Sequence, residues 1–218
     1  MSQQKSDYVD DTEIDATLDR VADDDAIETT VENLEANGFD VVVVDSAEEA
    51  LETIQSHIPA GASVMNGHST TLEEIGFTEY LSEGDHDWES LPDEIWSIDD
   101  DAERQAARRD SQTADYFLGG INAISQTGEL VAADLSGSRI GAYPFAASNV
   151  VIVSGANKIV PTLEDALDRL ESVAYPLENE RAQEAYGVES AIAKQLIFRR
   201  ETEEGRTTVV LVRDQFGY

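Results

Sequence analysis

The stretch MNGHSTTLEEIG, residues 65–76, holds the change of backbone on which the fold turns. A short apolar run over 62–65 enters it, and a cluster of small polar residues turns the chain. A helical pattern carried by Leu72 and Ile75 then leaves it. Strand, tight Gly/Ser/Thr turn and helix start make one βα unit. Two capping boxes can be read there, Thr70 with Glu73 and Thr71 with Glu74, each satisfying two orphan backbone N–H groups. The same residues, Gly67, His68, Ser69, Thr70 and Thr71, also offer backbone donors and hydroxyls to an anion, with glycine allowing close approach. The two readings coexist, because one hydroxyl can cap while its neighbours bind.

Outward from this unit, the pattern alternates. Ile14, Leu18, Val21, Ile27, Val31 and Leu34 stand at mostly helical spacing over 12–36, and Gly38 follows as a stop signal. FDVVVVD (39–45) reads as a buried strand and SAEEALETIQSHI (46–58) as a helix capped by Ser46. The polar region 83–113 holds two candidate short helices, near 92–98 and 102–109, and has the length of a lid-like excursion. Strands are expected in ADYFLGG (114–120) and SNVVIVSG (148–155), and a helix capped by Thr162 over 162–177. KQLIFRRE, the turn TEEGR and TTVVLVRD then read as a hairpin. The expectation is an α/β fold with a largely parallel sheet flanked by helices, and an antiparallel C-terminal hairpin added at one edge. It forms a single domain over 1–218: an N-terminal helical segment (1–38), an α/β core (39–175) and a C-terminal helix and hairpin (176–218).

Composition narrows the function. Asp and Glu total 46 against 14 Lys and Arg, a net charge of -32, and lysine occurs only as Lys5, Lys158 and Lys194. Acid-rich chains are often disordered, but the apolar runs at 41–44, 150–153 and 209–212 can build a buried sheet. The acids are spread along the whole chain, which favours adaptation to a salty cytoplasm over one acidic docking face for a basic partner. No basic stripe exists to neutralise phosphates, so nucleic acid is not an expected partner. The absence of cysteine removes disulfides, thiolate nucleophiles and cysteine-ligated iron–sulfur clusters. His57, His68 and His86 lack close metal spacing, and no metal or cofactor is expected. No apolar stretch approaches membrane-spanning length, and MSQQKSDYVDD lacks the layout of a signal peptide. A soluble, cytoplasmic protein is expected.

GHSTTLEEIG, ADYFLGGINAISQTGELV, SGSRIGA and VVIVSGANKIV, in that order, resemble the LUD-domain family, typified by the lactate utilisation protein C group. The likeness runs from about Val31 to Leu170 and returns weakly in VVLVRDQFGY. It implies a fold like that of the sugar-isomerase and CoA-transferase superfamily. It also implies a link to L-lactate oxidation to pyruvate, with iron–sulfur and redox centres on partner proteins. Short members often carry a cysteine cluster before the final strands, where this chain has RAQEAYGVESAIAKQLIFRRE and no cysteine. GGINAISQTGELV is more distantly similar to a segment of methylthioribose-phosphate-type isomerases, with Asn122 at the aspartate position and Thr127-Gly128 at the Asn-Gly pair. An amide cannot shuttle a proton as a carboxylate does, so that chemistry is not carried over.

The candidate ligand site joins the 67–71 loop, the 119–129 segment (Asn122, Thr127, Gly128, Glu129), the turn with Ser138 and Arg139, and Lys158. Asn122 and Thr127 equally suit local turn bonds, and Glu129 a solvent-facing strand position. Arg139 suits either a carboxylate or phosphate clamp or a structural ion pair. Lys158 stands just after a buried strand, where α/β folds bind ligands. The ligand class is a small organic anion. Three functions follow: an accessory component of lactate oxidation acting with iron–sulfur partners, an independent enzyme on a phosphorylated or CoA-linked substrate, or a ligand-sensing or assembly module.

Overall fold

In the computed structural model, which describes residues 12–218, the apolar runs at 150–153 and 209–212 become central strands of one sheet. The run at 41–44, expected as a buried strand, forms an edge strand with Val42 exposed, because it is paired on one side only. Six strands pair in the order β1 (Asp40–Val44), β10 (Thr207–Val212), β7 (Asn149–Gly155), β4 (Tyr116–Gly120), β2 (Ser63–Asn66) and β3 (Glu89–Ser90). Every neighbouring pair is parallel. A second sheet runs β8 (Ile159–Val160), β5 (Ala123–Ser125), β6 (Leu130–Asp134) and β9 (Lys194–Phe198). It is mixed: β8 and β5 are parallel, the other two pairs antiparallel. The helices are α1 (Asp24–Ala36), α2 (Ala47–His57), α3 (Thr70–Glu74), α4 (Phe77–Glu83), α5 (Leu91–Trp96), α6 (Asp101–Asp110), α7 (Ser138–Gly141), α8 (Leu163–Arg169) and α9 (Tyr175–Tyr186).

The two-residue period of the strands sorts their side chains into layers. Val150, Ile152, Val209 and Leu211 face inward onto Leu130 and Ala132 of the second sheet and onto Ile27 and Leu34 of α1. Their neighbours Val151, Val153, Val210 and Val212 face outward, onto α2 and the α3–α4 pair through Ile54, Leu72 and Phe77. On the far side of the second sheet, Ala123 and Val131 pack on Ala166, Val173 and Leu177. Both faces of the central strands of the parallel sheet are thereby covered, as parallel sheets require.

The expected antiparallel C-terminal hairpin does not form. β10 inserts between β1 and β7 in the large sheet, while β9 pairs with β6 in the small one. All six residues of β10 are buried, whereas β9 exposes Lys194, Gln195 and Ile197. A strand covered on both faces belongs in the middle of a parallel sheet, and a half-exposed one suits an edge. The helix expected over 12–36 is also interrupted. A 3-10 turn covers Ala16–Leu18, and α1 starts only where the Asp23 carboxylate accepts the Ala26 N–H at 2.9 Å. Residues 1–11 of the N-terminal segment lie outside the described residues. Ser46 and Thr162 cap α2 and α8 as expected, Thr162 in a capping box with Asp165.

Candidate functional site

β2 and β4 lie side by side and end at the same edge of the sheet. The Gly67 N–H extends their ladder by one bond to the Leu118 carbonyl, at 3.0 Å. The chain then turns at Ser69, whose Oγ accepts the Leu72 N–H at 3.3 Å. Ser69 is therefore the cap of α3, and the two threonine capping boxes are not made. Both glutamates have other partners: Glu73 faces His68 Nδ1 at 3.4 Å, and Glu74 accepts the Gly217 N–H at 2.6 Å. Thr71 is consequently available to Lys158, whose Nζ donates to Thr71 Oγ1 at 2.8 Å and to the Ile121 carbonyl at 3.0 Å.

Two glycines at the end of β4 make this arrangement possible. A Cβ on Gly119 would sit 2.0 Å from the Tyr143 hydroxyl, and one on Gly120 2.7 Å from Ser69 Oγ. The Tyr143 phenol donates to the Gly120 carbonyl at 2.8 Å, and burial pushes its pKa well above the ordinary phenol range.

Beyond these strand ends lies a cavity of about 780 Å³. Its walls are the 65–71 loop, Gly120–Asn122, the 133–139 turn, one face of α9, and α5 with the end of α6. Gly67, His68, Ser69, Thr70, Thr71, Asn122, Ser138, Arg139 and Lys158 all line it. The polar excursion 83–113 supplies a wall through α5 and α6; within it Trp88 packs on the core, while Trp96 stands 67% exposed at the cavity.

Thr127, Gly128 and Glu129 lie elsewhere, at the turn joining β5 to β6. The Ser125 and Thr127 hydroxyls each donate to Glu129 at 2.5 Å, and Arg199 pairs with it at 2.9 Å. Gly128 holds φ +88° with its carbonyl accepting from Asn37 Nδ2 at 3.0 Å. This is a turn locked by its own side chains, and it contributes nothing to the cavity wall.

Arg139 is held mainly by protein acceptors. It pairs with Asp134 at 3.2 Å and donates to the carbonyls of Gly120 and Ala133 and to Asn122 Oδ1. The structural pair is thus its geometry, with the guanidinium lining the cavity as a fixed positive charge. Sequence reading missed the α9 wall. There Arg181 donates to both oxygens of Glu178 at 2.7 and 2.8 Å, and the Tyr218 phenol donates to Glu178 at 2.9 Å. The i, i+3 spacing of Glu178 and Arg181 was the available signal. Burial alone would raise the Glu178 carboxyl, but Arg181 outweighs it and holds Glu178 below the usual carboxylate range. Thr70 Oγ1 is buried beside this phenol, with no well-formed hydrogen bond among the described residues.

His68 lines the cavity with about a third of its side chain exposed. Desolvation, then the Arg181 charge, pulls its pKa down to about 4, against a partial opposing pull from Glu178. The imidazole is therefore neutral at pH 7. With Glu73 beside Nδ1, the favoured tautomer carries the proton there and leaves Nε2 as an acceptor.

The charge balance of the lining is unlike that of the chain. Four cations (Arg108, Arg139, Lys158, Arg181) meet four acids (Asp93, Asp134, Glu178, Glu189), in a chain with 14 basic and 46 acidic residues. Among the described residues, no group of three or more His, Cys, Asp or Glu is placed to hold a metal ion. No helix among them is long and apolar enough to cross a membrane.

A six-stranded parallel sheet with helices on its faces, a small mixed sheet behind it and a polar cavity at its strand ends define the class of α/β domain. The model of the LUD domain matches residues 27–213, and the chain belongs to that family. No curated protein matches it. The crystal structure of a DUF162 family protein from Deinococcus radiodurans at 1.70 Å resolution is similar over 86% of this chain and 96% of that one, at 13% identity and a TM-score of 0.49.

Proposed function

We propose that this LUD-domain chain binds a small organic anion in the cavity at the ends of β2 and β4. The observation that carries this reading is the even charge balance of the lining, four cations to four acids, in a molecule otherwise dominated by carboxylates. Lys158, 1% exposed, anchors the floor, and the Arg181 guanidinium is fixed on the wall by its two bonds to Glu178. Such preorganised donors suit a carboxylate or a phosphate. The neutral His68 adds an acceptor suited to a hydroxyl hydrogen, so a 2-hydroxy acid matches both kinds of group. Together with the family resemblance, this supports a role as an accessory component of L-lactate oxidation to pyruvate. Removing the substrate's hydride needs an electron acceptor, and a chain without cysteine leaves cysteine-ligated iron–sulfur chemistry to a partner.

Calorimetric titration with L-lactate, pyruvate and inorganic phosphate tests the binding. We expect Lys158→Met to weaken the preferred anion by about ten- to a hundredfold, the scale of a charge-assisted hydrogen bond. Unchanged affinity in a folded Lys158→Met variant would sink the reading. Co-purification with iron–sulfur proteins, or its failure from cells oxidising lactate, tests the accessory role.

A further inference from the structure

We infer that the cavity takes an organic anion with an apolar body the size of an aromatic ring, and that a three-carbon acid alone underfills it. The inference rests on the anion-binding reading above and specifies its ligand. At the volume that liquid water occupies per non-hydrogen atom, a three-carbon 2-hydroxy acid, with its six such atoms, fills on the order of 180 Å³. The cavity measures about 780 Å³. Cavities of that size ordinarily enclose ligands several times larger than lactate.

The walls say what the additional part of the ligand is. Eight large hydrophobic side chains are substantially exposed among the described residues, and four of them, Trp96, Leu135, Tyr186 and Val188, line this one cavity. They come from three separate stretches of chain: α5, the turn after β6, and the end of α9 with the loop that follows. Nothing in local sequence requires three distant segments to expose apolar groups to the same space. A ligand body that covers them does. Among the polar groups, Lys158 lies buried at the floor, bonded to Thr71 and the Ile121 carbonyl. The Arg108 guanidinium lies 6.0 Å from the Trp96 ring centre, and that of Arg181 lies 5.4 Å from the Tyr186 ring. Each pair places a cation beside an aromatic surface, a combination that suits a planar, negatively charged ligand. The ligand therefore lies head-in: its carboxylate toward Lys158 and Arg181, its apolar body against Trp96 and Leu135.

Titration of the full chain with L-lactate, L-3-phenyllactate and neutral 3-phenylpropanamide tests this. Phenyllactate and lactate share one head group, so their affinity ratio reads the apolar body alone. We expect phenyllactate to bind about ten- to a hundredfold more tightly than lactate, the increment for burying a phenyl group. In the double variant Trp96→Ala with Leu135→Ser, both exposed positions that leave the core intact, that ratio should fall below about threefold. The neutral amide should bind far more weakly than phenyllactate. Lactate binding as tightly as phenyllactate overturns this inference while leaving the anion reading in place. A ratio that stays high in the double variant also overturns it. Tight binding of the amide, with neither acid bound, overturns the anion reading itself.

Discussion

His68 shows how a single side chain is set by its surroundings and not by its type. An imidazole in water titrates near 6.5; this one is drawn down to about 4 by desolvation and by Arg181. The sign of the consequence follows from linkage. As pH falls below 6.5 the unfolded chain takes up a proton that folded His68 refuses until about pH 4. Stability is thus unaffected by His68 above 6.5 and declines between 6.5 and 4. We expect the His68 ring resonances to titrate with a midpoint below 5, and His68→Gln to flatten the slope of stability against pH in that window. A midpoint near 6.5 would show that the ring is effectively solvated and that the cavity walls do not set its charge. At this scale the sequence was partly legible. Lys158 stood out because the chain uses so few lysines, and the structure places it at the cavity floor. Thr127, Gly128 and Glu129 were candidates as well, beside turn and strand-surface readings, and their polar groups satisfy one another within the turn. Sequence spacing cannot distinguish a turn that closes on itself from one that opens onto a cavity.

Among the elements, β9 and β10 are the instructive pair. A Gly-containing turn between two apolar runs reads as a hairpin, but the eight residues between them cross from one sheet to the other. The crossing is held by a buried ion pair, Arg206 to Glu201 at 2.9 Å. Arg206 also donates to the carbonyls of Ala142, Tyr143 and Ala147, which lie in and just after the π-helical turn that presents Tyr143. Glu201 accepts in addition from the Thr207 hydroxyl at 2.7 Å. Removing one partner of such a pair leaves a buried charge uncompensated, so Arg206→Met should destabilise the fold by about 3–5 kcal/mol. Urea denaturation would measure this, and Arg206→Met combined with Glu201→Gln should recover part of the loss. A cost within about 0.5 kcal/mol, typical of surface substitutions, would mean that the crossing is held by packing alone. The clue to the true pairing was present in composition. TTVVLV has apolar residues on both faces of the strand, while KQLIF opens with a polar residue on each face, Lys194 and Gln195. Elements such as β7 and α2 were legible because their own side chains define their burial, whereas β1, with four consecutive valines, read as buried and lies half-exposed at the sheet edge. The Arg206–Glu201 strut was not, because it depends on which sheet each strand joins.

For the whole molecule, the net charge of -32 is the dominant physical fact. The compact state brings these carboxylates closer than the unfolded chain does, so their repulsion destabilises folding wherever it is unscreened. Opposing attractions are fewer, and several are sheltered: Arg206–Glu201 and Arg169–Asp19 have side chains no more than 6% exposed. Salt screens exposed charges strongly and buried pairs weakly, so added salt should remove repulsion while leaving these pairs largely intact. We expect the melting temperature to rise by about 10 °C or more between 0.05 and 1 M KCl, on the scale of about 2–4 °C per kcal/mol for a domain of this size. The shape of the rise identifies its cause. Screening acts mostly below about 0.5 M, where the Debye length collapses, whereas preferential exclusion strengthens apolar burial steadily with concentration and is weaker for KCl than for sulfate. A steep gain at low KCl that levels off therefore marks charge repulsion, and with it the adaptation to a salty interior proposed for this surface. Equal melting temperatures in dilute buffer and molar KCl would show that the acids are already accommodated by local partners and helix N-termini. That outcome would leave the acidic surface to be explained by a basic docking partner.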